Sequence, residues 1–584
     1  MSILDHVSCQ PPARIWRRRP FDPKRAATLA SELEVPFGIG AILLQRGLDD
    51  PRAAHDFLNP AFEQLPSPFL MKGMAEATAI LADAIRQGRA VAVYGDYDVD
   101  GATGTAVLAL FLRRLGLTVH ARQPHRLHHG YGLHRRLIPE LQALAPGGVL
   151  ITVDCGISDR EAVAAANEGG LTVIVTDHHQ PPSTLPPADA VLNPLQPGCS
   201  FPFKHLAGVG VAFYLAMGLR SRLKEQGYWP GAAGMPNLRE LLDLAAVGTV
   251  ADIVPLVGPN RIFVRAGLEV LQEARRPGLA CLLETAGLLG KRLTAEDIGF
   301  RLGPRINAAG RLGDPGRALD LLLTDDSVLA RKLAHELEKA NRDRHALEEG
   351  MACQAMAAAA EFIQAGRRTM VLLGDAWHPG VLGIVASRVL NRFYRTTILL
   401  TEKEGLLSGS GRSVPEFHLH HALEGCKDLL VRYGGHANAA GLALQPESLP
   451  AFRERFEAEA AQLAPEDLRP KLLVDGQATD DLFGGRFQEA YLRLAPFGMG
   501  NPEPVFASAG CRLLKPRLVG EKHLKFLWPH NGGRLEGIGF GFGHLLPILK
   551  SQEVGLAFSL RLNEFRGRES WQVNLVDIDL DPKY

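Results

Sequence analysis

The chain has few cysteines, no excess of charge of either sign and no long apolar run. Its seven cysteines, spread over 584 residues, are far apart and form no Cys-x-x-Cys pair. This pattern excludes a disulfide framework and a zinc ribbon and is typical of a reducing compartment. The first residues lack the apolar segment of a signal peptide, and no uncharged run is long enough to span a bilayer. We therefore expect a cytoplasmic protein with no membrane contact.

The charges balance, with 64 Lys and Arg residues against 64 Asp and Glu residues. The balance removes any overall electrostatic argument for nucleic acid, so a basic surface must be local and an acidic site must offset it. Hydrophobic residues make up 46% of the chain, which is ordinary for a globular protein. A chain of this length is too long to fold around a single hydrophobic core, so we expect about two to four domains.

The most informative stretch is VAVYGDYDVDGATGTAVL, residues 91–108. It predicts a buried strand, a turn and the start of a helix. The turn carries Asp96, Asp98 and Asp100 at alternate positions. Three crowded carboxylates repel one another strongly unless a cation lies among them. A solvated acidic turn is the alternative.

Residues 86 to 195 alternate between short apolar runs and helical segments, which predicts a parallel, doubly wound sheet. The predicted strands are 90–94, 149–153, 171–175 and 188–192. Asp154 follows the second strand, and Asp177, His178 and His179 follow the third. Because the carboxyl ends of parallel strands share one edge, these side chains and the three earlier acids are expected to converge on one crevice. Helix capping explains one acid at a strand end, but hardly acids at three strand ends.

Residues 200 to 320 are predicted to be mostly helical, with Asp252 at the end of an apolar helix. Residues 299–315 are predicted to form a Gly-rich loop, in which guanidinium groups beside flexible backbone suit phosphate binding. Its candidate residues are Arg301, Arg305, Asn307 and Arg311. A structural turn with solvated arginines is the alternative.

Residues 325 to 365 contain almost no Pro or Gly and predict one or two long helices. The chain then returns to an α/β pattern. Residues 406–417 are predicted to form a loop with an anion-binding nest, whose side chains are Ser408, Ser410, Arg412 and Ser413. His436 is predicted to precede a small-residue helix, where it either reaches a phosphate oxygen or packs as a structural histidine.

Two further regions bear on nucleic acid. The histidine-rich stretch 125–134 predicts a loop rather than a metal site, with Arg126 and the Gly-Tyr-Gly turn as its useful parts.

From about residue 465 onward, short strands between turns predict an all-β module, a small barrel. There, lysines and arginines near Phe526 and Trp528 suit single-stranded nucleic acid; they are Lys515, Arg517, Lys522 and Lys525. Alternatively, the aromatic side chains are buried in the core of the module and the lysines are solvated surface residues that bind no nucleic acid.

The motifs DYDVDG, VDCG and TDHH, followed by Asp252, resemble the DHH phosphoesterase superfamily. The region from GSGRS to GGHANAAG resembles the DHHA1 domain that accompanies it. Together with GPRINAAGR and the β-module, the chain from roughly residue 50 onward is similar to the RecJ family of bacterial single-strand-specific exonucleases. The resemblance implies an α/β fold in which two α/β domains, the DHH parallel doubly wound sheet and DHHA1, are joined by a long helix and followed by an all-β OB-like barrel.

This organisation predicts five segments along the chain. They are an N-terminal helical preface (1–85), a DHH catalytic domain (86–320), a connecting helix (321–366), a DHHA1 domain (367–462) and an OB-like nucleic-acid-binding domain (463–584).

The resemblance implies a metal-dependent 5′ to 3′ exonuclease that acts on single-stranded DNA with a 5′ end and serves recombination and repair. The implied metal ligands are Asp96, Asp98, Asp100, Asp154, His178, His179 and Asp252, with Asp177 as a further ligand or an orienting group. The expected catalytic residues are Asp154, His178, His179 and His436. The expected substrate contacts are Arg126, Arg305, Asn307, Arg311, Ser410, Arg412 and His436. Small DHH phosphodiesterases have a histidine where this chain has Tyr94, so which of the first three acids binds which ion stays open.

A donor set made mainly of carboxylates favours Mn²⁺ or Mg²⁺ over zinc. Five acids are too many for one ion, so we predict two ions with a bridging carboxylate, and Asp154 lies between the outer motifs in sequence. Two ions can clamp the attacking and leaving oxygens of phosphodiester hydrolysis, which needs no Ser or Cys nucleophile. If Arg305, Ser410 and Arg412 form a pocket for the 5′-terminal phosphate, the ions cut the next bond and the released products are mononucleotides.

Two other functions compete with this one. A DHH phosphodiesterase of small oligonucleotides or cyclic dinucleotides would not need the chain length, the β-module or the GPRINAAGR stretch. An inactive DNA-binding scaffold would lose ligand acids, whereas every expected acid is present. The resemblance also implies single-strand-binding protein and a helicase as partners, although no contact motif for either is visible.

Overall fold

The computed structural model describes residues 12–125, 130–231, 234–530, 533–565 and 568–581. The chain divides into two compact units. The small unit consists of the residues up to Arg18 together with Asn341–Leu473, and the large unit consists of Arg19–Ala340 together with the chain from Val474 onward.

The sheet that positions the candidate site lies in the large unit and has five parallel strands. In spatial order they are Val119–Arg122, Val91–Gly95, Val149–Val153, Thr172–Thr176 and Ala190–Leu192. Starting from Val91–Gly95, the chain adds one strand on one side and three on the other, so a crevice opens beyond the carboxyl ends of Val91–Gly95 and Val149–Val153. The predicted parallel sheet is confirmed.

One strand of this sheet, Val119–Arg122, was not predicted. It has four residues, lies at the sheet edge, and alternates apolar side chains with His120 and Arg122. Such a strand has no continuous apolar run, and a four-residue alternation is too short to stand out in the sequence.

Helices cover both faces of this sheet and form most of the large unit before the C-terminal module. They are Pro23–Glu32, Phe37–Gln45, Pro51–Leu58, Met74–Gln87, Val99–Arg114, Ile138–Leu144, Arg160–Glu168, Gly208–Glu225, Leu242–Ala251, Gly258–Gln272, Pro277–Thr285, Ala295–Asp297, Gly303–Leu312 and Gly316–Leu323. Among the described residues, no single helix has the length and hydropathy to cross a membrane, although Pro23–Glu32 and Phe37–Gln45, bent by 113°, pass both criteria as a pair.

The predicted Gly-rich loop at 299–315 is wrong, because this stretch is mainly helical. A π-helical turn, Ile298–Leu302, runs into the helix Gly303–Leu312. Leu302, Ile306 and Ala309 are buried. Their spacing forms an apolar stripe on one helix face, and its burial outweighs the low helix propensity of the glycines.

A single continuous helix, Ser327–Gln364, confirms the predicted long helix, and the boundary between the two units falls within it. The small unit also contains the helices Leu382–Phe393, Leu419–Gly425 and Leu449–Glu459. Its sheet has the spatial order Arg432–Gly435, Ala439–Leu444, Leu406–Arg412, Thr396–Lys403 and Thr369–Leu373. A further short strand, Ile15–Arg18, pairs with Lys471–Val474.

Two local predictions in the small unit are wrong. The expected loop at 406–417 contains the strand Leu406–Arg412, which pairs with a strand on each side. The expected helix after His436 is the strand Ala439–Leu444, so His436 lies in a hairpin turn. Ala440, Leu442 and Leu444 are buried at every second position, which is the period of a strand.

The C-terminal module is a seven-stranded sheet, which confirms the predicted all-β fold. Its spatial order is Gly476–Gln477, Phe506–Cys511, Val554–Phe565, Arg568–Asp579, Gly533–Gly539, His523–His530 and Leu514–Val519. Among the described residues, no pairing closes the two edge strands into a barrel. The helices Gly485–Leu494 and Leu546–Leu549 accompany the sheet.

The N-terminal helices and the C-terminal module share one hydrophobic core. Ile39, Leu43 and Phe57 from the N-terminal helices are buried in the same cluster as Phe487 and Phe506 from the C-terminal module. The two ends of the chain therefore stabilise each other within the large unit.

Candidate metal centre

Carboxylates and imidazoles from four segments meet at the carboxyl edge of the parallel sheet. The described part of the chain contains three sets of potential ligand residues, and within each set the ligand atoms lie within 4.8 Å of one another. They are Asp96, Asp98 and Asp154; Asp100, His178 and Asp252; and Asp154, His178 and His179. Asp154 and His178 each belong to two sets, so the sets form one continuous centre.

Two of the first three acids, Asp98 and Asp100, lie at the start of the helix Val99–Arg114, and Asp96 precedes it with its N–H bonded to the Val153 carbonyl. Asp98 is the N-cap, and its side chain accepts a hydrogen bond from the Gly101 N–H at 3.0 Å. Asp100 lies in the first turn and is fully buried. The two oxygens of Asp100 accept hydrogen bonds from the backbone N–H groups of Gly208 (2.5 Å) and Val209 (2.8 Å).

The Gly208 contact shows how a second helix supports the centre. Gly208 and Val209 begin the helix Gly208–Glu225, whose N-terminus stabilises an anion. A Cβ atom on Gly208 would lie 2.7 Å from the Asp154 Cβ and 3.0 Å from an Asp100 carboxylate oxygen. Only glycine fits there. Gly208 was not predicted from the sequence, where the only signal was a pair of glycines at the start of an apolar helix.

Asp154 follows the strand Val149–Val153 with a φ of 60°, in the left-handed region that is unfavourable for a residue with a Cβ. Its N–H donates to the Thr176 carbonyl at 3.0 Å, which holds this turn against the next strand. One carboxylate oxygen lies 3.0 Å from His178 Nε2 and 3.7 Å from His179 Nδ1. Strained backbone of this kind is concentrated at functional sites.

Asp177 orients the two histidines. Its Oδ1 accepts hydrogen bonds from the backbone N–H groups of His178 (2.7 Å) and His179 (3.1 Å) and lies 2.8 Å from His179 Nδ1. Its Oδ2 accepts from the Ile157 N–H at 3.0 Å. Both oxygens of Asp177 are thus engaged by the chain itself, an arrangement that metal-site histidines commonly use to fix ring orientation.

Tyr131 belongs to the Gly-Tyr-Gly turn that was singled out in the sequence, and the structure makes its side chain a functional candidate. Its hydroxyl group donates to the Asp154 carbonyl at 3.1 Å and lies 3.0 Å from His179 Nδ1. The flanking Gly130 and Gly132 have φ values of 82° and 91° and shape the turn that presents the ring. The Gly-Tyr-Gly motif was the available signal, but it did not show where the ring would point.

In the absence of a cation, burial and mutual repulsion disfavour the ionised form of these carboxyl groups. Burial, then the charge of Asp98, raises the pKa of Asp100 from 3.8 to about 7. Burial, then the charge of Asp100, raises the pKa of Asp154 and of Asp252 well above the ordinary range. The Oδ2 atom of Asp252 is buried, makes no hydrogen bond to any residue that the structure describes, and lies 3.6 Å from His178 Nε2. A divalent cation would relieve this repulsion, and the oxygen-rich donor set fits Mn²⁺ or Mg²⁺.

The pKa values of the two histidines are shifted in opposite directions. Burial, then the charge of His179, lowers the pKa of His178 to about 4, which keeps its ring neutral. Burial of His179 favours its neutral form, but the hydrogen bond and charge of Asp177 outweigh burial and raise the pKa of His179. In the same way, His179 outweighs burial and lowers the pKa of Asp177. A neutral His178 is the form that coordinates metal.

Of the predicted phosphate contacts that the structure describes in the large unit, Arg301 lies in the π-helical turn Ile298–Leu302 and donates to the Ala286 carbonyl, and the others lie on the helix Gly303–Leu312. Arg305 donates to Glu338 at 2.7 Å and to the Arg301 carbonyl at 2.7 Å, so its guanidinium is held in place. Asn307 and Arg311 lie on the same helix. Arg126 lies outside the described residues.

The predicted contacts of the small unit lie on its sheet. Arg412 donates to the Ser410 hydroxyl at 3.0 Å and to the Gly411 carbonyl at 2.7 Å. The Arg412 guanidinium is also close to Gly383, where an added Cβ would lie 2.6 Å from Nη2. His436 is exposed, and its N–H donates to the Ala439 carbonyl across the hairpin turn.

Comparison with protein families covers most of the chain. Residues 90–249 match the N-terminal domain of the DHH family, residues 360–462 match the DHHA1 domain, and residues 474–577 match the RecJ OB domain.

The chain is 41% identical to the single-stranded-DNA-specific exonuclease RecJ of Dickeya dadantii, over 95% of this chain and 97% of that protein. It is also 41% identical to the protein of that name from Escherichia coli, over 96% and 98% of the two chains. The crystal structure of Thermus thermophilus RecJ in complex with Mn²⁺ matches with a TM-score of 0.82 and 36% identity, covering 98% of this chain and 80% of that one. The corresponding Mg²⁺ complex matches with a TM-score of 0.75. This chain therefore belongs to the RecJ family of DHH phosphoesterases.

Proposed function

We propose that this chain is a single-stranded-DNA-specific exonuclease that degrades strands from the 5′ end to mononucleotides with two Mn²⁺ or Mg²⁺ ions. Membership of the RecJ family supports the reaction and the substrate, since the relatives carry the name single-stranded-DNA-specific exonuclease. The observation that carries the proposal is the continuous set of carboxylates and imidazoles at the sheet edge, in which Asp154 and His178 are shared.

The ligand sets divide naturally between two ions. Asp96, Asp98 and Asp154 would hold one ion, and Asp100, His178 and Asp252 the other, with Asp154 between them. His179 adds an imidazole next to Asp154. When bound, the ions polarise the scissile phosphate and lower the pKa of the attacking water.

The chain's own groups hold this arrangement before substrate arrives. Asp177 orients His178 and His179 through its engaged carboxylate, and it is not needed as a direct ligand. The backbone N–H groups of Gly208 and Val209 hold Asp100. Such fixed supporting contacts determine both metal affinity and the position of the reacting phosphate.

Polarity requires recognition of the 5′ end. We propose that Ser410 and Arg412 bind the terminal phosphate, because their mutual hydrogen bond presents a guanidinium beside a hydroxyl donor. Arg126 and Arg305 would contribute further charge, with Asn307 and Arg311 contacting the strand. His436, exposed on its hairpin turn, would contact the scissile phosphate.

The C-terminal module would bind the bases that come after the 5′ end of the strand. The aromatic residues available for this differ from those expected from the sequence. Phe526 and Trp528 are buried, so they are not available for base stacking. Phe540 is 60% exposed and lies 5.2 Å from the His523 ring, and Lys522 precedes that histidine. An exposed ring next to basic groups suits single-stranded DNA.

The cellular setting follows from the proposed reaction. Cysteines that are all free among the described residues fit a reducing cytoplasm. Recombination and repair supply single strands with 5′ ends, and single-strand-binding protein and a helicase would expose them. The predicted limits of the five segments are part of the same proposal.

End-labelled DNA tests the proposal directly. A long 5′-phosphorylated single strand, its duplex and a dinucleotide would each be incubated with the protein and Mn²⁺ or Mg²⁺, beside an Asp154→Ala control. We expect mononucleotides to be released progressively from the 5′ end of the single strand only, and none from the control. Rapid cleavage of the dinucleotide without cleavage of the long strand would instead identify a small-substrate phosphodiesterase.

A further inference from the structure

Arg261 is a fully buried arginine that makes all its described hydrogen bonds to backbone carbonyls. It lies on the helix Gly258–Gln272, with only 1% of its surface exposed. Its Nε donates to the Phe57 carbonyl at 2.8 Å, and its terminal nitrogens donate to the carbonyls of Arg493, Leu494 and Ala495 at 2.8 to 3.0 Å. The guanidinium carbon also lies 3.8 Å above the Phe57 ring. Arg261 thus joins the catalytic region to the start of the C-terminal module.

Two buried asparagines continue this polar network. Asn501 donates to the carbonyls of Leu494 and Pro496 at 2.8 and 2.9 Å. Asn260, beside Arg261, donates to the Pro255 carbonyl at 3.0 Å. Both asparagines are almost completely buried. The buried donor groups of Arg261, Asn260 and Asn501 therefore all bond to backbone carbonyls, and such bonds restrict the local backbone to one arrangement.

The segment between these anchors, residues 496–501, lies against the turn that follows Asp252. The Leu256 N–H donates to the Met499 carbonyl at 2.8 Å. A Cβ on Gly498 would lie 2.7 Å from a Leu256 methyl carbon, and a Cβ on Gly500 would lie 2.9 Å from the Pro255 Cβ. The two backbones are therefore in close contact three to four residues beyond Asp252.

This turn has a strained backbone that needs external support. Asp252 ends the helix Leu242–Ala251, and Ile253 follows with a φ of 61°. A β-branched side chain is a strong outlier in the left-handed region. Ile253 is also 70% exposed, so burial of its own side chain does not hold it there. Strained residues persist where the surrounding structure determines their conformation.

We propose that residues 496–501, which we call the support segment, position Asp252 for metal binding, with Arg261 anchoring the segment. The inference rests on the proposed metal-dependent function and extends it. The C-terminal module is then a structural part of the metal centre as well as a surface for the DNA strand. Arg261, Gly498 and Gly500 act through Asp252 and are positioning residues.

The test is a matched pair of glycine substitutions in the full-length protein. Gly500→Ala would press a methyl group against Pro255, whereas Gly227→Ala, at φ 71° against 72° for Gly500, adds a methyl group with no atom within 4 Å. Both substitutions place a Cβ atom on a residue of nearly the same positive φ. Mn²⁺ binding would be measured by calorimetric titration, and thermal unfolding would verify that each variant is folded.

We expect Gly500→Ala to weaken the binding of one Mn²⁺ ion by about 10- to 100-fold, as supporting contacts of metal ligands typically do. The other ion, near Asp96 and Asp98, should keep its affinity, and Gly227→Ala should bind both ions normally. Nuclease activity of Gly500→Ala should recover at high Mn²⁺ concentration.

Unchanged affinity for both ions in a folded Gly500→Ala protein would overturn the inference. If Gly500→Ala fails to fold, Gly498→Ala decides by the same criterion, since its methyl group meets a flexible leucine side chain. Failure of the proposed function is seen separately, because the unsubstituted protein would then bind no Mn²⁺ or leave single-stranded DNA intact.

Discussion

At the scale of single residues, Asp154 holds the centre together. It belongs to two of the three ligand sets and contacts both histidines. Its position depends on a strained backbone and on Gly208, which leaves no room for a Cβ beside it. An acid at a strand end was visible in the sequence. The contacts of Gly208 and Tyr131 with Asp154 were not, because both residues reach Asp154 from distant segments.

The raised pKa of Asp100 predicts how the metal-free protein responds to pH. Its pKa is 3.8 in an ordinary environment and about 7 in the folded protein, through burial and then the charge of Asp98. Between these values the folded state holds a proton that the unfolded state releases. The contribution of Asp100 to stability is therefore complete below about pH 4 and is lost as the pH rises through 7.

Thermal unfolding in EDTA tests this prediction. We expect the unfolding temperature to fall between pH 5 and pH 7.5 and to be restored at pH 7.5 by Mn²⁺. Asp100→Asn, which cannot ionise, should show a shallower fall. Equal slopes for the two proteins would contradict the assignment to Asp100.

Arg412 predicts a preference for phosphorylated 5′ ends. Arg412→Ala removes a charged hydrogen-bond donor, which is worth about 1.5–3 kcal/mol, or about 10- to 100-fold in kcat/KM. We expect this loss for 5′-phosphorylated strands and a much smaller one for 5′-hydroxyl strands. Arg432→Ala, which removes an exposed arginine from the same sheet, is the control. An unchanged preference in Arg412→Ala would rule out the proposed phosphate contact.

At the scale of elements, the long helix Ser327–Gln364 was predictable from its composition, but the buried ion pair in its middle was not. Its composition predicts a helix because Pro is absent and strong helix formers dominate. Its middle nevertheless carries a buried ion pair, in which Arg344 donates to Glu348 at 2.8 Å. Arg388 from the helix Leu382–Phe393 donates to the other Glu348 oxygen at 3.3 Å. Helical periodicity indicates which residues share a face, but not which neighbour buries them.

Glu348→Ala should therefore destabilise the protein markedly. It leaves the buried Arg344 without this carboxylate, and breaking a buried pair in this way costs about 3–5 kcal/mol. Glu349→Ala, at the exposed next position, should change stability by less than about 0.5 kcal/mol. Chemical denaturation of both variants measures the difference. Similar stabilities would show that the Arg344–Glu348 pair contributes little.

At the scale of the whole molecule, the two ends of the chain depend on each other. The core of the C-terminal module includes Ile39, Leu43 and Phe57 from the N-terminal helices. The sequence predicted a preface and a β-module as separate segments, because hydrophobic pattern reports that a face is buried without naming its partner. The limits of those segments stay a prediction.

A chain that ends at residue 473 should consequently lose more than a DNA-binding surface. Each large apolar side chain that the truncation exposes costs about 1.5–3 kcal/mol. We expect such a chain to aggregate or to unfold at a lower temperature than the full-length protein. Thermal unfolding with light scattering measures this, and unchanged cooperative unfolding would contradict the shared core.

Local sequence pattern was enough to predict the features that depend on neighbouring residues. Four of the five parallel strands, the acids at strand ends, the long helix and the β-rich C-terminal module follow from periodicity, composition and the positions of turn residues. The resemblance of the ordered motifs to RecJ added the family. Features that depend on contacts between distant segments became visible in the folded structure alone. The helical form of 299–315, the burial of Phe526 and Trp528, and the support segment held by Arg261 all result from packing that outweighs local propensity.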